Sequence, residues 1–359
     1  MAAAATTATR APAARVAASR MRWPHVVVGV AALLASALAG VLIGAIDLSA
    51  GEVLRELVGA IPGVDITSSL DTREQAILWQ IRLPRVVLGG LVGATLASAG
   101  AAYQGVFRNP LADPYLLGAA AGAGLGATLA IAYGRPLLGG AALPVAAFVG
   151  AVGGVALAYV LGYSAGTGRS TSSLILAGVA VAAFLTAAQT YVMQRESDTL
   201  RQVYSWILGQ LGTAGWADVT RLLPYAVVSG TVILLHRRLL DVLAVGEDEA
   251  GTLGVPATRV RFLVVAAASL GTAAAVAVSG LIGFVGIIVP HTIRLVSGAS
   301  YRVVLPLSMV FGGAFLIAAD LLARTVASPA ELPIGVVTAF FGAPFFALVL
   351  RTSRRAVGT

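Results

Sequence analysis

Ten long apolar blocks, separated by short polar clusters, set the pattern of this chain: residues 26–46, 86–107, 116–133, 143–163, 174–193, 222–235, 262–278, 281–296, 303–322 and 334–350. At 1.5 Å per residue most of them reach across a hydrocarbon layer of about 30 Å, so the pattern predicts membrane-spanning helices and no sheet. The stretch from Phe262 to Leu295 is too long for one helix. Ser279-Gly280, with Gly283, Gly286 and Pro290, places a break in it, giving a full span followed by a short interrupted one. Such interruptions are tolerated where protein or an aqueous path covers the backbone. The expected fold class is therefore all-α, a polytopic membrane bundle of about ten transmembrane helices.

The first block raises the question of cleavage, because an arginine-rich, acid-free start (Arg10, Arg15, Arg20, Arg22) and Ala37-Leu38-Ala39 resemble a signal peptide. The apolar run continues to Ile46, too long for a signal core, so an uncleaved first helix is expected. Residues 1–22 then form a disordered basic cytoplasmic tail, 23–353 the transmembrane domain, and 354–359 a second cytoplasmic tail.

Composition agrees: 58% of residues are hydrophobic and 11% charged, with a mean hydropathy of +0.90, far from the soluble average. The net charge of +8 does not indicate nucleic acid, because the basic residues are scattered between apolar blocks. With the N-terminus inside, ten spans return the C-terminus inside. Fifteen arginines then fall on the cytoplasmic side and nine outside, the bias expected of a membrane protein. The outside set includes Arg82, Arg85 and Arg324.

Two absences narrow the chemistry. The chain has no cysteine, which excludes thiolate metal sites and thiol catalysis. It also has no lysine, so it holds no intact Walker A loop, and any ATP chemistry belongs to a partner. The three histidines are separated from one another and from carboxylates, which forms neither a metal site nor a catalytic dyad. Asp320 is the one acid inside an apolar block, and Arg324 one turn later is its expected ion-pair partner. Gly118, Gly122 and Gly126 recur at every fourth position, as do Gly150 and Gly154, a spacing that lets helix backbones approach closely in lipid.

The most informative stretch runs from Arg82-Leu83-Pro84-Arg85 through a Gly/Ala-rich span to Asn109-Pro110-Leu111-Ala112-Asp113-Pro114 and Leu117-Gly118. Trp206-Ile207-Leu208-Gly209, Gly246-Glu247-Asp248-Glu249-Ala250 with Leu253-Gly254-Val255, Gly283-Phe284-Val285-Gly286-Ile287-Ile288-Val289-Pro290-His291 and Glu331-Leu332-Pro333-Ile334-Gly335 follow in order. From about residue 26 to 351 the chain resembles the FecCD family, permease subunits of ABC importers for ferric siderophores, haem and vitamin B12.

The resemblance implies a type II ABC importer permease, working as a homodimer or a pair of similar permeases in the bacterial plasma membrane. Two ABC ATPases would carry ATP and Mg, an extracytoplasmic binding protein would deliver substrate, and this chain itself would bind no cofactor and be no enzyme. Ferric siderophore is the first substrate expected, with cobalamin and haem as alternatives. From a different class, a non-transporting membrane scaffold or sensor would keep the same fold.

Residue roles follow from the resemblance. Arg82, Arg85 and Arg324 match the family's external arginines, which meet acidic residues of the binding protein. Arginine suits this because its planar fork binds carboxylate at two points, while the alternative is that these residues anchor helix ends. The polar stretch at about 236–261 holds the coupling segment, Glu247, Asp248, Glu249, Ala250, Leu253, Gly254 and Val255. A plain solvated loop is the alternative there. Asn109, Leu111, Thr171 and Ser172 are the expected cytoplasmic gate, although Asn109-Pro110 fits a helix-starting cap and turn equally well.

Overall fold

A computed structural model describes residues 21–134, 141–164 and 171–357. Most of the expected N-terminal tail, together with Arg135 and Arg169, lies outside the described residues. The order of helices is α1 (Trp23–Leu42), α2 (Ala50–Gly59), α3 (Thr72–Ala76), α4 (Leu83–Val106), α5 (Ala119–Tyr133), α6 (Ala142–Ser164), α7 (Thr171–Arg195), α8 (Leu200–Ile207), α9 (Trp216–Leu235), α10 (Arg237–Val245), α11 (Glu247–Thr252), α12 (Ala257–Ser279), α13 (Val285–Ser297), α14 (Tyr301–Thr325) and α15 (Ile334–Val357).

Among the described residues, seven helices are long and apolar enough to cross a membrane, and three shorter apolar ones, α5, α13 and the apolar part of α15, bring the number to ten. Each coincides with one of the ten apolar blocks. The expected C-terminal tail is helical as far as Val357, because α15 continues through Arg351.

Helices α4, α12 and α14 form the centre. Leu88, Val92 and Leu96 of α4, Val264 and Ala268 of α12, and Leu305 and Leu316 of α14 are almost fully buried in one cluster. Helices α1, α6 and α9 lie outside this centre and leave much of their apolar surface uncovered, which in lipid carries no penalty.

Small residues set the helix separations. The predicted glycine ladder joins α5 to α6: a Cβ at Gly122 would overlap the Gly150 carbonyl, one at Gly150 the Gly122 carbonyl, and one at Gly126 the Ala146 carbonyl. Gly93 meets Gly312 in the same way where α4 crosses α14, and Gly100 meets Gly286.

The rod that contains α4 starts earlier than its apolar block. Asp71 accepts a hydrogen bond from the Glu74 N–H at 2.7 Å and Glu74 accepts one from the Asp71 N–H at 2.9 Å, a capping box that starts α3. A π-helical stretch, Ile77–Arg82, then joins α3 to α4. The break between α12 and α13 falls where glycine predicted it, with Gly280 at φ 69° and Phe284 at φ 68°. Left-handed backbone costs Phe284 more than glycine, and the packing around its ring compensates. That ring occupies the notch left by Gly342 on α15, where any Cβ would overlap it.

Candidate functional site

Three features stand out: a charged cluster at one end of the bundle, a helical protrusion at the other, and an apolar groove beginning beneath the cluster. The π-helical turn and the first turn of α4 bring Arg82 and Arg85 to the same end as the C-termini of α1 and α14. The expected external arginines therefore gather in space, although 239 positions separate Arg85 from Arg324 in number.

Each turns inward in this conformation. Arg82, 3% exposed, donates through Nη1 to the carbonyls of Val41 and Leu42 at 2.8 Å and through Nη2 to that of Ile46. The Val41 and Leu42 carbonyls are among those a helix C-terminus leaves without partners, so Arg82 caps α1 and also holds the chain just beyond it. Arg324 donates through Nη2 to the Gly40 carbonyl at 2.6 Å. This is the helix-anchoring alternative, realised for both residues.

Arg85 has a different role. Its Nε donates to Asp320 Oδ2 at 2.9 Å and its Nη2 to Oδ1 at 2.8 Å, while Nη1 and Nη2 donate to the two oxygens of Glu331 at 2.8 and 3.0 Å. Both edges of the guanidinium are occupied, the strongest arrangement available to it. The expected Asp320–Arg324 pair is consequently secondary: Arg324 Nε stands 3.8 Å from Asp320 Oδ2. Spacing of one turn identified a neighbour, whereas the helix crossing delivered a better partner. Glu331 lies in the loop between α14 and α15. Arg85 holds its carboxyl below the usual range, against a smaller opposing effect of partial burial.

Three interruptions of the chain meet beside this cluster. The Gln210 N–H donates to the Ser279 carbonyl at 2.9 Å, the Ile334 N–H to Gly209 at 3.3 Å and the Gly335 N–H to Leu208 at 2.9 Å. Gly209, Gly280 and Gly335 permit the seam, since a Cβ on Gly280 would overlap the Trp206 carbonyl and one on Gly335 the Leu208 carbonyl. Ile207, Leu281, Phe284, Val336 and Phe340 then line a groove of about 610 Å³, almost entirely apolar. Phe340 is 77% exposed on it.

At the opposite end α10, α11 and the turn after α11 project between α9 and α12. Glu247, Asp248 and Glu249 open α11, Ala250 is fully buried beneath it, and Gly254 at φ 74° with Val255 turns the chain into α12. The expected segment is thus a helix and not a plain loop. It presents Leu253 at 70% exposure and, just before it, Val245 at 71%, two aliphatic side chains among charges.

The four expected gate residues divide. Asn109 Oδ1 accepts the Leu111 N–H at 2.9 Å in a local turn, and Leu111 is half-buried, but α5 starts only at Ala119 behind Gly118, so the expected helix start at Asn109-Pro110 is corrected to a turn ten residues ahead of the helix. Thr171 opens α7, with Ser172 exposed beside it. Farther along α7, Gly178 packs against the Leu116 carbonyl, so α7 and the segment after Asn109 run together there. His291, which sequence left without partners, stacks edge-on against Phe345, and no cluster of metal-ligating side chains occurs among the described residues.

Sequence reasoning missed Glu331 as chemistry, although its motif was evident. The usable signal was an acid in a short polar loop directly after the one span that carries a buried acid. It also missed α8 and α2, which are too short or too polar to register as spans.

Known proteins agree with this architecture. The sequence matches the FecCD transport family over residues 32–352. It is 40% identical over 336 residues to YvrB of Bacillus subtilis (strain 168), an uncharacterized ABC transporter permease, covering 93% of this chain and 95% of that one. It is 45% identical over 277 residues to the cobalamin import system permease BtuC of Halobacterium salinarum, covering 77% and 74%. The Fe(3+)-citrate import permease YfmD of Bacillus subtilis (strain 168) is 38% identical over 286 residues, covering 79% and 84%. A solved ABC transporter, assigned to the metal-chelate type and captured in an inward-facing conformation, superposes with a TM-score of 0.79 at 29% identity, over 92% of this chain and all of that one. The chain belongs to the FecCD transport family and is a multi-pass ABC importer permease.

Proposed function

We propose that this permease carries a bulky metal chelate into the cytoplasm, with cobalamin the first substrate and a ferric chelate the second. The observation that carries the reading is the apolar groove of about 610 Å³ walled by three interrupted segments. A path for a large amphipathic cargo needs apolar walls and backbone that can move, and interrupted helices supply both. The identity to BtuC supports cobalamin, and the identity to YfmD supports ferric chelates. The siderophore first expected from family frequency thus becomes one member of the second class.

A second permease copy covers the groove face, where Phe340 stands exposed, so that the path lies on the axis of the pair. Two separate ATPases seat on α10–α11 through Val245 and Leu253, and supply the ATP and Mg chemistry that a chain without lysine lacks. The cluster end faces outward, toward a substrate-binding protein, and both termini face the cytoplasm. Arg82, Arg85 and Arg324 act in docking only after exchanging intramolecular partners. Asn109, Leu111, Thr171 and Ser172 close the inner end. ATP-driven closure of the ATPases then moves the permease between inward- and outward-open states.

The deciding experiment is ATP-dependent uptake by proteoliposomes holding the permease, its ATPase and its binding protein, with cobalamin, a ferric siderophore and haem in parallel. Uptake of cobalamin supports the reading, and uptake of the siderophore alone moves the substrate to the second class. An assembled, ATP-hydrolysing complex that takes up none of the three supports a scaffold or sensor instead.

A further inference from the structure

We infer that Glu331 is a positioning residue that latches the cluster end of the groove: by occupying the second edge of the Arg85 guanidinium, it holds the start of α15 against α8 and keeps the groove closed from that end. The inference deepens the import reading and rests on it for its purpose, not for its geometry.

The two carboxylates on Arg85 are not equivalent. The Asp320 side chain is 4% exposed and the Glu331 side chain 47%. Breaking the desolvated pair leaves a charge stranded in the core, whereas breaking the half-exposed one returns a carboxylate to water. Asp320 therefore fixes and aims Arg85, with Arg324 at 3.8 Å and Arg82 the other cations of the cluster. Glu331 is the member that can leave. A small polar cavity of about 110 Å³ between Arg85, Gln210, Gly212 and Glu331 opens onto the pair, giving it an exit.

What the pair holds is a short seam. The loop before α15 is fastened by the Leu332 N–H to the Ala323 carbonyl at 2.8 Å, and the first residues of α15 by the Ile334 and Gly335 bonds to Gly209 and Leu208. Beyond Gly335, Val336 and Phe340 form one wall of the groove, facing Ile207 and Leu281. Arg85 stands on the central helix α4, so the Glu331 contact ties the α15 wall to the centre of the bundle. Releasing it leaves the seam dependent on a few backbone bonds at a junction of three chain breaks, and the wall is free to swing from α8.

The chain has no cysteine, so one introduced thiol reports on the groove. Val336→Cys in the full permease, reconstituted with its ATPase, is to be labelled by a membrane-impermeant maleimide from the cluster end, with the exposed Ala60→Cys as the normalising site. Glu331→Gln is expected to raise the Val336→Cys rate about fivefold, the scale of one exposed ion pair, and Glu331→Asp to restore it toward the parent. A rate unchanged in Glu331→Gln, or equally raised in Glu331→Asp, overturns the latch.

A second arm needs no substitution at the pair. Raising salt from about 0.1 M to about 1 M screens the half-exposed contact but not the buried one, and is expected to raise Val336→Cys labelling relative to Ala60→Cys. Equal rates at both salts overturn the latch even where Glu331→Gln fails to fold. Labelling needs no substrate, so the two readings fail separately. A latch that opens in a permease transporting nothing faults the import reading alone, and unchanged labelling in a transporting complex faults the latch alone.

Discussion

Arg85 on α4 grips Asp320 on α14 through Nε and Nη2 at 2.9 and 2.8 Å, a buried pair that joins the two central helices at one end of the bundle. Removing one partner of such a pair leaves a buried, uncompensated charge, which costs about 3–5 kcal/mol. Asp320→Ala is expected to lower the thermal unfolding midpoint of the purified permease sharply, because Arg85 then retains only the half-exposed Glu331. Replacing both Arg85 and Asp320 by leucine is expected to cost less than Asp320→Ala alone. A midpoint for Asp320→Ala equal to the parent's would show the pair to be dispensable.

Gly122 and Gly153 offer a matched contrast. A methyl group at Gly122 meets the Gly150 carbonyl, whereas one at Gly153 meets nothing within 4 Å. Gly122→Ala is expected to destabilise by about 1–3 kcal/mol through overpacking, while Gly153→Ala leaves stability unchanged or slightly raised by helix propensity. Unfolding of the two variants in parallel checks this, and equal behaviour would discard the close α5–α6 approach.

Leu253 and Val245 are exposed aliphatic side chains at the end opposite the arginines. Leu253→Glu is expected to weaken retention of the ATPase on affinity-tagged permease by about tenfold, the loss of a single anchoring contact. The permease fold should be intact, since the side chain supports nothing else. Undiminished co-purification would place the ATPase elsewhere.

The Glu331 carboxyl lies below its ordinary 4.5, held there first by its hydrogen bonds to Arg85. A depressed carboxyl contributes stability that is present above its unfolded value and lost as the pH falls through the folded one. The difference in stability between the parent and Glu331→Gln is therefore expected to be flat from about pH 5 to 8 and to shrink below about 4.5, with a plateau of about 1 kcal/mol or less for a half-exposed pair. A difference that varied across the neutral range would assign the titration to another group.

The spans were legible because a bilayer imposes one requirement on every segment that crosses it, some twenty apolar residues with the backbone bonded internally. That requirement is local, so the ten blocks, the break at Ser279-Gly280 and the glycine ladder of α5 and α6 could all be read from residue order. Between α9 and α12 residue order left a helix and a plain loop equally open, and the fold made it the helices α10 and α11. The absence of lysine likewise excluded, without any structure, an intact Walker A loop in this chain.

Partner choice among charges was decided only by the tertiary fold. Along the sequence Asp320 has one neighbour in reach, Arg324 at four residues, and the local rule pairs them. In the folded chain Gly93 and Gly312 draw α4 and α14 together, bringing a guanidinium from 235 residues away. Arg324 instead turns to the end of α1. The role of Glu331 was hidden for the same reason, since its meaning depends on which edge of Arg85 remains unfilled once Asp320 is seated. Helix formation answers to spacing along the chain, but the pairing of buried charges answers to distance in space, which helix crossings alone determine.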